Sequence, residues 1–141
     1  FDYMVEVILL PAVVLGLVIG LIELFFIHAD EGFRGSHWFG HGLHAVGWAV
    51  VAVFASINVE YVLGMFDFLQ TAPIISNPLY LRAVIGLITV FKVWGTSAVV
   101  AGAKGRGMHE KFWHCLLIGV LVVATPYMYP LIEPIFPEFL K

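Results

Sequence analysis

The chain has 141 residues, 61% of them hydrophobic and 12% charged, with a formal net charge of −3. A soluble domain carries about 25% charged residues because its surface faces water, so this composition excludes an ordinary soluble surface and points to a bilayer, where helices can be apolar all round. The small negative charge, without a basic stripe to neutralise phosphates, excludes nucleic acid as a partner, and the single cysteine, Cys115, excludes an internal disulfide or a CxxC metal site.

A spanning helix needs roughly 20 apolar residues, and four segments provide them. The first runs from Met4 to Ile27 and contains Glu6, Pro11 and Glu23. It is too long and too close to acidic residues to be a signal peptide. Ala12, Gly16 and Gly20 form a small-xxx-small series that lets two helix backbones approach closely. Glu23, three residues past Gly20, continues that face and is expected to point at protein.

The second segment, Trp38–Val59, has no Asp, Glu, Lys or Arg. The residues that follow, about 60–70, are aromatic and apolar with two acids, a pattern that suits a short interfacial helix or an extension of the second span. The third segment, Tyr80–Ala103, carries Arg82, Thr89, Lys92 and Thr96 on one stripe. A bare Lys92 near the bilayer centre would cost about 2.5–3.5 kcal/mol or more, so the stripe is expected to face protein or water. The fourth, Phe112–Tyr129, is uncharged, and the tail from Pro126 holds four prolines that argue against a long regular helix. The expected fold is therefore all-α: one transmembrane domain over residues 1–141, with four spanning helices in a compact bundle.

Lys and Arg set the orientation. Arg34, Lys104, Arg106 and Lys111 lie in the first and third loops, against Arg82 and Lys141 on the other side. The two short loops are thus expected in the cytoplasm and both termini outside.

All six histidines fall at the cytoplasmic ends: His28, His37, His41, His44, His109 and His114. His37, His41 and His44 are spaced i, i+4, i+7 on one helical face, and Glu110 and His114 are four apart. With Glu23 at similar depth, His41, His44, Glu110 and His114 make a candidate set for a transition metal such as zinc, iron or copper. A haem held by paired histidines is a weaker alternative, and acid/histidine chains also carry protons. No Walker A loop, GxSxG, HExxH or GxGxxG occurs, and no Ser/His/Asp set suggests acyl transfer. Enzyme chemistry is not the expectation.

The functional expectation is an oligomeric cation or proton channel or transporter subunit, with Glu23, Thr89, Lys92 and Thr96 lining an intramembrane polar pathway. The alternatives are an accessory subunit of a larger membrane complex and a histidine-ligated metal or haem redox protein. The expected partners are the lipid bilayer and either further copies of the chain or other membrane subunits.

Overall fold

A computed structural model describes residues 5–32, 37–99 and 110–141, with backbone alone for 97–99. The elements are α1 (Leu10–Glu31), α2 (Trp38–Ile57), α3 (Val59–Met65), α4 (Asp67–Thr71), α5 (Pro78–Val99) and α6 (Phe112–Ile132). Two 3₁₀ turns follow, Glu133–Ile135 and Glu138–Leu140, and there is no strand among the described residues. Four helices, α1, α2, α5 and α6, are long and apolar enough to cross a membrane. Met4, Arg34, residues 100–103, Lys104, Arg106 and His109 lie outside the described residues.

The boundaries differ from expectation in informative ways. The first helix starts at Leu10 with Pro11 in its first turn, where the missing N–H costs nothing because it would have no partner. It ends at Glu31 rather than Ile27, closed by the Gly32 N–H donating to His28 O at 2.8 Å. This brings Asp30 and Glu31, expected in a loop, onto the helix. The interfacial segment is two short helices, broken where Phe66 takes an extended conformation.

The last helix runs through Pro126 and Pro130 to Ile132, against the expected end at Tyr129 and the expected irregularity of the tail. Pro126 has no N–H for the carbonyl of Val122, four residues earlier. Thr125 supplies the missing donor, its hydroxyl bonding Val122 O at 2.7 Å. Away from water a proline is tolerated when a neighbouring side chain satisfies the freed carbonyl in this way.

α1 and α2 form the closest pair, α5 and α6 the second; α2 and α6 approach across the bundle, and α1 also borders α6. The first pair closes on the small-residue face. A Cβ at Gly16 would lie 2.6 Å from Val50 Cα, and one at Gly20 2.8 Å from Val46 Cα. Ala12, on the same face, is fully buried. The second pair closes with Gly86 and Gly119 against each other's carbonyl oxygens. Between the pairs lies an apolar core of Ile19, Ala49, Ala52, Val53, Ile118 and Val122. Large apolar side chains such as Leu21, Phe25, Val51, Phe91 and Trp113 point outward.

The antiparallel arrangement gathers the C-terminal ends of α1 and α5 and the N-terminal ends of α2 and α6 at one end of the bundle. This polar end holds His28, His37, His41, His44 and His114 and most of the buried charge of the described residues.

Candidate functional site

The buried face of α1 is one continuous stripe: Ala12, Gly16, Gly20, Glu23, Ile27 and then Asp30 and Glu31. Its apolar half packs α2, and its acidic half forms the polar end. Four carboxyl groups are buried there, Glu23 (0% exposed), Asp30 (6%), Glu31 (0%) and Glu110 (1%). Carboxyls are seldom fully buried unless paired, so each needs an account.

Asp30 and Glu31 have one. Asp30 Oδ2 accepts the backbone N–H of Lys111 at 2.9 Å and lies 2.5 Å from His114 Nδ1, while Lys111 Nζ stands 3.9 Å from Oδ1. Phe26 stacks on the His114 ring, with 4.2 Å between centroids and 10° between planes. Glu31 Oε1 accepts the N–H of Glu110 at 3.2 Å, and Oε2 lies 3.0 Å from His41 Nδ1. The two acids therefore sit at the start of α6, where negative charge is favoured by the unsatisfied N–H groups. They tether the end of α1 to it.

His41 extends the tether. Its Nε2 lies 3.2 Å from Val93 O on α5. A carbonyl oxygen only accepts, so Nε2 carries a hydrogen. A single chain of contacts, Glu31–His41–Val93, therefore crosses from α1 through α2 to α5.

Glu23 is different. Neither of its oxygens meets an N–H or hydroxyl donor among the described residues. Oxygens of Glu23 and Glu110 and the Cys115 sulfur all lie within 4.8 Å of one another, and all three residues are buried. Removal from water, and next the Glu23 carboxylate opposite, push the Glu110 carboxyl up to about 10. Glu110 and Glu23 thus face each other as a carboxyl pair.

The structure brings together only part of the set expected from sequence. Glu23 and Glu110 meet, but His41, His44 and His114 do not join them as ligands. The acids at the end of α1 engage His41 and His114 instead. His44 is exposed on α2 and lines a lateral groove with His37, His41, Lys92 and Thr96. The Glu110/His114 spacing fails as a helical pair because Glu110 and Lys111 precede the helix.

The stripe on α5 also divides. Arg82 faces protein, donating to Ser56 O at 3.0 Å with its guanidinium over Tyr127. Thr89 is fully buried, bonded to Ile85 O and receiving the Trp48 indole N–H at 3.1 Å. Thr96 turns back to Lys92 O at 2.7 Å. Lys92 was expected to turn inward, yet it lies on the outer surface, its ammonium 4.9 Å from the centre of the Trp48 ring. The indole face gives the ammonium electrostatic cover there.

Sequence reasoning missed Asp30, Glu31 and Cys115. The first two had a signal: they follow Ile27 by three and four residues, on the face that holds Glu23. Cys115 had none beyond its neighbours, since a lone cysteine in an apolar run reads as a small packed side chain.

Neither a family model, nor a curated protein, nor a solved structure matches this chain. The reading of the site rests on its own geometry.

Proposed function

We propose that this chain is a multi-pass membrane protein whose polar end takes up a cation, protons included, into an intramembrane site, as a subunit of a channel or transporter. One observation carries the reading. Glu23 is wholly buried, without an N–H or hydroxyl donor among the described residues on either oxygen, and faces a second carboxyl group. Intramembrane ionisable groups are expensive and mark ion and proton pathways by default. A carboxyl kept there only for bracing would be expected to have hydrogen-bond partners, as Asp30 and Glu31 do.

The distribution of Lys and Arg supports a cytoplasmic position for the polar end. Beyond Glu23 the apolar core around Val53, Ile118 and Val122 closes the way to the other end, which fits an occluded, one-sided site.

The test is flux in proteoliposomes under an imposed gradient, read for protons and for monovalent and divalent cations. Wild-type protein should conduct one of these above empty vesicles, Glu23→Gln should abolish the flux, and Glu60→Gln, at an exposed site, should leave it unchanged. Equal flux in wild type and Glu23→Gln, or none for any cation, overturns the reading.

A second reading, as an accessory subunit of a larger membrane complex, is favoured by the lateral groove. Lys92, His37 and His44 place polar groups on a side surface that lipid would otherwise cover. A stoichiometric partner cross-linked at position 92 would support it, and the two readings are compatible.

A further inference from the structure

We propose that Glu23, Glu110 and Cys115 form a binding site for a divalent transition-metal ion of the zinc, iron(II) or cobalt(II) class. The inference rests on the cation-site reading above and names the ion.

The donor set decides the class. Two carboxylates alone would suit a proton, calcium or magnesium. Calcium and magnesium take six or more oxygen ligands, and the described residues put only two carboxyl groups at this point, together with a sulfur. A thiolate selects borderline or soft ions instead. In a tetrahedral zinc site the ligand atoms stand roughly 3.3–3.8 Å apart, from bond lengths of about 2.0–2.3 Å. The present separations, all within 4.8 Å, close to that range by side-chain rotation. Glu23 points into the cluster fully buried, and neither of its oxygens meets an N–H or hydroxyl donor among the described residues. Cys115, also fully buried, is one residue past His114, whose bond to Asp30 fixes the first turn of α6.

Three protein ligands leave a fourth position open, the arrangement of sites that exchange or react rather than merely hold an ion. Ligation needs the thiolate and both carboxylates, so the Cys115 thiol proton and any proton the carboxyl pair holds leave to solvent as the ion enters. The Glu31 contact to the Glu110 backbone and the Asp30 contact to the His114 ring then act as outer supports that keep the ligands in place.

The experiment loads tag-free protein in detergent with cobalt(II), a spectroscopic substitute for zinc. The expected result is one ion per chain by elemental analysis, visible d–d bands of a four-coordinate site, and a near-ultraviolet thiolate-to-cobalt charge-transfer band. Cys115→Ser should remove that band, and Glu23→Gln should weaken binding by at least about 10-fold. If Cys115→Ser does not fold, Cys115→Ala, which only removes the sulfur, gives the same reading. A folded wild type that binds no cobalt overturns the proposal, and so does a charge-transfer band that survives loss of the sulfur. Flux abolished by Glu23→Gln in a protein that binds no metal would leave the cation reading standing and remove the metal. Metal binding without flux would do the reverse.

Discussion

The two ends of the bundle bury polar groups of different cost: among the described residues the small Ser56 hydroxyl goes without a partner at the end away from the histidines, and the Glu23 carboxyl without an N–H or hydroxyl donor at the polar end. At the end away from the histidines, Asn58 is 5% exposed and its side chain is satisfied: Oδ1 accepts Ile8 N–H at 2.7 Å, and Nδ2 donates to Ile8 O at 2.9 Å and to Phe54 O at 3.0 Å. Arg82 beside it is equally engaged, by Ser56 O and the Tyr127 ring. These are braces, which hold the stretch before α1 and the start of α5 against the end of α2. The polar end has braces too, in Asp30–His114 and Glu31–His41. Inside them, however, lies Glu23, a charged residue type with no N–H or hydroxyl donor among the described residues. The contrast separates polar groups that hold helices together from one that is kept available.

If that separation is right, breaking a brace should cost stability, and the largest cost should fall on His41. Its replacement by Leu leaves the Glu31 carboxylate oxygen Oε2 without the imidazole in a fully buried position. Removing one partner of a buried pair costs about 3–5 kcal/mol, which reversible unfolding in mixed micelles would measure. His41→Gln, which retains an amide donor, should recover much of the loss. Equal losses for Leu and Gln would mean that the imidazole matters for packing alone.

The next effect compares the two ends directly. Asn58→Leu removes three hydrogen bonds, at about 0.5–1.5 kcal/mol each, so a loss of about 2–4 kcal/mol is expected, with flux intact. Glu23→Leu should behave in the opposite sense. Replacing an unpartnered buried carboxyl by an apolar group of similar size is neutral or stabilising, so stability should hold or rise while flux and cobalt binding disappear. A Glu23→Leu protein as unstable as Asn58→Leu would make Glu23 a brace and erase the distinction.

How much of this was legible beforehand follows the same division. Four apolar segments and a close-packing face at Ala12, Gly16 and Gly20 are properties of composition and spacing, and α1 and α2 meet on that face. The site was legible only at Glu23 and Glu110. Equal depth along separate helices cannot say which side chains turn toward each other, because that depends on helix rotation and on where each helix ends. Four more residues on α1 brought Asp30 and Glu31 into play, and they engaged the imidazoles that depth alone had assigned to a metal. Lys92 failed for a related reason: the cost of a bare ammonium in hydrocarbon was sound physics, but a cation over an indole is not bare.

The smallest expected effect lies between the two ends, at Thr125. It looks like one more buried polar residue, 1% exposed, and its role is local: it satisfies the Val122 carbonyl that Pro126 leaves without an N–H. Thr125→Val keeps the shape and removes that single hydrogen bond, so a loss of about 1 kcal/mol is expected. The double variant sharpens the point. Pro126→Ala restores a backbone N–H for Val122 O, and in that background Thr125→Val should cost almost nothing, giving a coupling energy close to the single loss. Additive losses would show that the hydroxyl serves something other than the broken helix. Coupled losses would confirm that Thr125 mends the helix that Pro126 interrupts, a local task unlike that of the Glu23 carboxyl.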